Sequence, residues 1–363
     1  MYYLDKYNGV KNLFKKNIIS IDIGKYTTKI VIGKGKNKEI IIDHVFMIDT
    51  PPESYEDGYI KNLEAFKTII YNILSKNKIK EKEVICTVQS REAITRELVL
   101  PYVKSDELSS MIDLEIEQYL PIRLEEYVVE YKILEEFTEN NMNNIRVLVA
   151  ALPKDMVEIY LELIKSLKLK PLALDMNANA IAKVFEGELT INNENYSLDK
   201  TVTLIDLGYE YINITIIDKG VIRFNRLIHQ GGKDVDINIA NTYNLSLEDA
   251  QQRKIEYANL EELNGLSSTS MLNEIVQSSV DIWIEEIQKI FRYYNSRHRG
   301  NKIDEIYLYG GSSNIKNLSK YMTDNLNIPT FKINEIDNIK LGKNSGEINL
   351  EKCLNAIGAL IRR

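Results

Sequence analysis

The phrase IISIDIGKYTTKIVI at residues 18–32 returns, altered but legible, as TLIDLGYEYINITII at residues 203–217. Each copy is an apolar run, an aspartate, one apolar residue, a glycine, a polar segment and a second apolar run. The glycine two positions after the aspartate lets the backbone turn sharply and offer its N–H groups to an anion, while the carboxylate holds water or Mg2+ on that anion. Such a strand–turn–strand cradles phosphate, and two of them predict two related lobes closing on one polyphosphate from opposite sides. The first cradle, Asp22 and Gly24, adds the hydroxyls of Thr27 and Thr28 and, seven positions after the aspartate, the point charge of Lys29. The second, Asp206 and Gly208, continues into Tyr209, Glu210 and Tyr211. A third segment, YLYGGSSNIKNL at residues 307–318, sets Gly310, Gly311 and Ser312 between a strand and a helix start, where close backbone approach suits the sugar or α-phosphate of a nucleotide.

Around these segments the periodicity predicts an α/β protein. With 363 residues the chain has room for about two domains. Residues 1–17, lysine-rich and ending in FKKN, read as a leader. From residue 18, β-type runs at 18–23, 28–33 and 39–49 predict a meander, followed by a helix over 60–76 and a strand over 84–89. An α+β unit is expected as an insertion over 91–170, with a helix from Ser105 to Tyr119, strands over 128–136 and 144–152, and a helix opening at Pro153-Lys154-Asp155. The first lobe then comprises 18–90 and 171–200, and the second 201–363, with a long amphipathic helix over 271–294 and an apolar C-terminal helix over 354–361 returning to the first lobe.

Composition narrows the function. A net charge of −7 argues against a general nucleic-acid binder, which needs a basic face; the basic run RYYNSRHR at 292–299 reads as the C-terminal cap of the long helix. Two cysteines, Cys86 and Cys353, supply neither a disulfide framework nor a metal knuckle and fit a reducing cytoplasm. No run of about 18 apolar residues occurs, so membrane association is expected only through a partner. His44, His229 and His298 are scattered and read as core or surface residues.

With its three phosphate and adenosine segments in that order, the chain resembles the actin, heat-shock-chaperone and sugar-kinase ATPase superfamily. The connecting helices DMNANAIA at 175–182 and AIGAL at 356–360 extend the likeness to nearly the whole chain. Within the superfamily it is most similar to the PilM family of type IV pilus assembly, in the phrase QYLPIRLEEYVVEY at 118–131 and in NRLIHQGGKDVDINIA at 225–240, where Gly231 and Gly232 match residues that approach the nucleotide. The resemblance implies a two-lobed actin-like ATPase fold of duplicated ribonuclease H-like sheets, with the insert as a 1C-type subdomain on subdomain 1A and a second lobe of subdomains 2A and 2B. It also implies an ATP or ADP site with Mg2+ carried by Asp22 and Asp206 through water, Lys254 near the ribose, and a cytoplasmic scaffold role at the inner membrane. In that role a 1A/1C groove takes the N-terminal peptide of a PilN-like single-pass membrane protein, alongside other pilus assembly components and self-association. Alternatives in the superfamily are an FtsA-like division filament protein and a small-molecule kinase. Departures from the family pattern are Lys25-Tyr26 in the first loop, Tyr209-Glu210-Tyr211 in the second, and Gln251 where a glutamate is expected. Glu210 is expected to face solvent, and no residue stands where a hydrolytic base is expected, so turnover is at most slow.

Overall fold

The computed structural model describes residues 16–36, 39–119, 123–261, 268–297, 302–342 and 344–362. The leader expected over 1–17 lies outside the described residues except for its last two. Each copy of the repeated phrase begins a sheet. In the first, β1 (Ile18–Ile23) turns into β2 (Thr27–Lys36) and β3 (Glu39–Asp49), all antiparallel neighbours. Every residue of β1 is buried, as in a strand covered on both faces. Helix α1 (Leu63–Lys76) begins later than its apolar spacing predicts, because Tyr59 and Ile60 pair with Tyr55 and Glu56 in a short hairpin. Asn62 then caps it, its side chain accepting from the Ala65 N–H at 3.1 Å. β4 (Glu83–Val88) runs parallel to β1.

The insert contains β5 (Ile94–Pro101), α2 (Ser105–Tyr119), β6 (Tyr127–Glu139) and β7 (Met142–Pro153), with the sheet ordered β5-β7-β6. Leu108, Ile112 and Ile116 of α2 bury against Leu98, Leu100, Ile145, Val147 and Val149. β5 is absent from the sequence reading; its ITRELVLP alternation is masked by charges whose partners lie on other strands, Glu97 meeting Arg146 of β7. α3 (Lys154–Ser166), expected in the insert, packs Met156, Tyr160, Leu163 and Ile164 into one core with Ile19, Ile21, Phe66 and Ile70. Its apolar stripe packs against the first sheet and α1. β8 (Lys170–Met176) then lies parallel to β4 and leads into α4 (Asn177–Val184).

The second lobe repeats the plan. β9 (Thr201–Leu207), β10 (Ile212–Asp218) and β11 (Val221–Ile228) form the meander. They are followed by α5 (Gly232–Tyr243), α6 (Leu247–Tyr257) and the long α7 (Ser268–Arg297), which buries Trp283, Ile287 and Tyr294. β12 (Glu305–Tyr309) is parallel to β9, and α8 (Leu318–Leu326) precedes β13 (Thr330–Lys332). The second sheet is ordered β11-β10-β9-β12-β13, matching β3-β2-β1-β4-β8 strand for strand. A late strand, β14 (Ile339–Leu341), crosses back to pair with β3.

α4 and the last helix, α9 (Leu350–Ala359), lie in a core that takes Val31 and Ile42 from one sheet and Leu204 and Tyr309 from the other. They cross so closely that a Cβ on Gly358 would stand 2.0 Å from the Ala180 carbonyl oxygen. A buried ion pair joins α4 to β8: the Lys183 ammonium is 2.7 Å from Asp175 and also donates to the carbonyl of Ile361, just past α9, at 2.8 Å. Burial raises the Asp175 pKa, but Lys183 and the Asn179 amide outweigh it and hold the carboxylate below its ordinary value.

Candidate functional site

The register of each hairpin decides what meets its aspartate. Asp22, near the end of β1, lies opposite Lys29 across the β1–β2 pair and beside Thr87 in β4. The Thr87 hydroxyl donates to Asp22 Oδ1 at 3.0 Å, and Lys29 Nζ lies 3.3 Å from Oδ2. Gly24 closes the turn by donating to the Thr27 carbonyl, and a Cβ there would stand 2.9 Å from that oxygen and 3.2 Å from Lys29 Nζ. Asp206 occupies the same place at the end of β9, but lies opposite Asn213 and beside Tyr309. Its Oδ2 accepts from the Asn355 amide at 2.8 Å, and that amide's oxygen accepts from the Tyr309 hydroxyl at 3.2 Å.

Gly310 has φ +87°, and a Cβ on it would stand 2.3 Å from Asp206 Oδ1. Glycine here is required both by the backbone and by the carboxylate. Burial pushes the Asp206 pKa up to about 6; the Asn355 amide and Lys29 pull it down, and Asp22 adds to the rise. For Lys29, burial lowers the pKa, but Asp22 and then Asp206 outweigh it, leaving the ammonium firmly charged between the two carboxylates.

Of the residues expected at the site, Asp22, Gly24, Thr27, Lys29, Asp206, Gly208, Lys254, Gly310, Gly311 and Ser312 line one cleft of about 250 Å³ between the lobes. Thr28, Gly231 and Gly232 do not. Thr28 is the alternate residue of β2 and points into lobe I, its hydroxyl 2.9 Å from that of Thr50, which in turn donates to the Gly24 carbonyl. Gly231 and Gly232 lie behind the second hairpin. Gly232 N–H donates to the Gly208 carbonyl, and a Cβ would stand 2.5 Å from Tyr209 O at residue 231 or from Ser312 Oγ at residue 232. Their part is to let the start of α5 press against the hairpin. Lys254 reaches the cleft with its ammonium 2.7 Å from Asp236 and donating to the Gly232 carbonyl at 3.0 Å. Burial lowers its pKa, partly offset by Asp236.

Several cleft residues were not legible in the sequence: Tyr55, Gln89, Asn177, Glu351 and Asn355. The one available signal was Asn355, a polar residue inside the apolar run of α9. Glu210, expected in solvent, is only 13% exposed and pairs with Lys233 at 3.4 Å. The cleft lining also includes Ile255, Ala258 and Ile315, apolar side chains of the kind that suit a planar base. Among the described residues no cluster of three or more His, Cys, Asp or Glu is placed to hold a metal. Asp22 and Asp206 are carboxylates of the cleft lining that would meet a divalent cation there, and Mg2+ favours carboxylate, phosphate and water oxygens.

A second cavity, of about 340 Å³, backs onto the cleft, and Gln89 and Asn177 line both. It is bounded by Ile94 and Thr95 of the insert, Met176 and Ala178, and Asn225 and Leu227 of β11. A smaller hollow shares Thr95, Met176, Ala178 and Asn225 with it and continues toward Leu148, Ala150 and Ile222.

Two lobes built on matching sheets, with an aspartate hairpin from each facing one cleft, make this an actin-like ATPase fold. The sequence profile of the family described as type IV pilus assembly protein PilM matches residues 20–361, and the chain belongs to that family. Its fold is similar to a solved structure titled PilM-PilN type IV pilus biogenesis complex, with a TM-score of 0.78 at 19% identity, covering 94% of this chain and 97% of that one. It is also similar to the ethanolamine utilization protein EutJ from Carboxydothermus hydrogenoformans, with a TM-score of 0.53 at 11% identity over 95% and 89% of the two chains. Among the described residues no helix is long and apolar enough to cross a membrane.

Proposed function

We propose that this protein is a nucleotide-binding scaffold of the type IV pilus assembly platform, taking ATP or ADP with Mg2+ between its lobes. The observation that carries the nucleotide reading is the convergence of Asp22, Lys29, Asp206 and the Gly310-Gly311-Ser312 turn on one interlobe cleft. Lys29 and the hairpin N–H groups meet the phosphates, the two carboxylates orient the cation's water shell, Ser312 and Lys254 stand by the ribose, and Ile255, Ala258 and Ile315 wall the base. Bound Mg2+ supplies charge neutralisation on the phosphates.

The second site is the groove between the insert and both lobes, where an N-terminal peptide of a PilN-like single-pass membrane protein docks. Support comes from family membership and from the PilM-PilN title of the similar structure. Its floor of Met176, Ala178, Leu148 and Ile222 suits apolar side chains, and Asn225 and Thr95 suit the peptide backbone. In this reading the protein works at the cytoplasmic face of the inner membrane, held there by its partner, with other assembly components or its own copies as neighbours. Isothermal titration with ADP-Mg2+, ATP-Mg2+ and a synthetic partner N-terminal peptide tests both sites. Binding of nucleotide lost in Asp22→Ala and Asp206→Ala is the expected result, and no binding of any of the three ligands to the unaltered chain overturns the proposal.

A further inference from the structure

Three positions at which the sequence departs from the family pattern come together in space. Tyr26, at the tip of the first hairpin, has its ring centroid 5.0 Å from that of Tyr209, at the tip of the second. A tyrosine of lobe I therefore touches a tyrosine of lobe II, and both rings, with Gln251, line the cleft between the lobes.

The contact is not a chance meeting of loose loops, because each tip is fastened to its own lobe. The Tyr26 carbonyl accepts from the Thr50 N–H at 3.0 Å, and the neighbouring Lys25 ammonium donates to the Tyr55 carbonyl at 2.7 Å. On the other side the Tyr209 carbonyl accepts from the Lys233 N–H at 2.8 Å, and Gly208 N–H closes the turn onto the Tyr211 carbonyl at 3.1 Å. With both backbones pinned, the rings meet only when the lobes stand at their present separation.

We propose that Tyr26 and Tyr209 are nucleotide-retaining residues. Their ring contact bridges the two phosphate hairpins, holds the lobes closed, and must part before a phosphate chain lying between the hairpins enters or leaves. An offset or tilted aromatic pair is strong enough to slow opening several-fold and weak enough to break thermally. The retention part rests on the nucleotide reading given above; the lobe-closing part does not.

The test has two arms. Stopped-flow displacement of a fluorescent ADP analogue from the full chain is expected to show Tyr26→Ala and Tyr209→Ala each releasing it roughly three- to tenfold faster. The double variant is expected to be no faster than the quicker single one, since either ring alone has lost its partner. Tyr26→Phe, which keeps the ring, is expected to release the analogue at close to the rate of the unaltered chain. In the second arm no nucleotide is present, and spin labels are placed at the exposed Lys76→Cys and Glu285→Cys positions of the two lobes. Both native cysteines are buried, so labelling is selective. Tyr209→Ala is expected to broaden the interlobe distance distribution toward longer values. Release rates unchanged in chains that still bind ADP overturn the proposal, as do additive effects in the double variant or an unaltered distance distribution. If the unaltered chain binds no ADP, the nucleotide reading fails and the spin labels alone decide the bridge.

Discussion

The two aspartate hairpins share a backbone and differ in charge. Asp22 faces a lysine across its hairpin and a threonine hydroxyl on the next strand; Asp206 faces Asn213 and is held by the Asn355 amide. One ammonium, that of Lys29, therefore serves both carboxylates. The duplicated fold supplied the geometry twice and the cation once, so the second hairpin's aspartate is the under-compensated one, with its pKa near 6. An under-compensated buried carboxylate is a poor contributor to stability and a good site for an incoming cation.

The largest predicted effect comes from breaking the frame that sets the hairpins face to face. Lys183→Met leaves Asp175 charged and buried between the lobes, and is expected to cost about 3–5 kcal/mol of stability, read from urea denaturation. Next, Lys29→Met removes the shared cation. Nucleotide affinity is expected to fall roughly 10- to 100-fold, the scale of a lost charge-assisted hydrogen bond, and the Asp206 pKa is expected to climb further, a shift that NMR titration follows.

The pH dependence then bears on Asp206. The Asp206 value of about 6 lies above its unfolded value of about 3.9. The folded state thus holds the proton more tightly, and stability is expected to fall as pH rises from about 4 to about 6 and to level off above. Asp206→Asn is expected to abolish that slope and to raise the stability of the nucleotide-free protein at neutral pH, while weakening Mg2+-nucleotide binding. In the unaltered chain, that binding is expected to strengthen between about pH 5 and 7 as Asp206 ionises. The smallest effect is expected for Asn355→Ala: loss of one amide donor raises the Asp206 pKa and shifts the pH midpoint of Mg2+-nucleotide binding upward, with an affinity loss of roughly three- to tenfold at neutral pH.

Much of the fold was legible because its signals are local. Apolar runs and the glycines at residues 24 and 208 announce two hairpins, and the repeat announces two lobes. What was missed has a common cause. β5 looked irregular because Glu97 is compensated by Arg146 on another strand. The surface that covers α3 was not legible because an amphipathic stripe does not say what packs on it. Thr28 looked like a phosphate ligand because a strand's alternation fixes which residues share a face, and not which face the cleft takes.

The sequence by itself determined that this protein has two aspartate hairpins, a Gly-Gly turn between strand and helix, and a likeness to the PilM family over nearly all of its residues. Only the tertiary structure decided how the site is wired. It set Lys29 beside Asp22 in the cleft that Asp206 also lines, brought Asn355 of the last helix to Asp206, and closed Tyr26 onto Tyr209. The reason is physical. Hairpin geometry is written in neighbouring residues, whereas burial, charge compensation and ring contact depend on residues that share no local pattern and meet only after the two sheets have packed around α4 and α9.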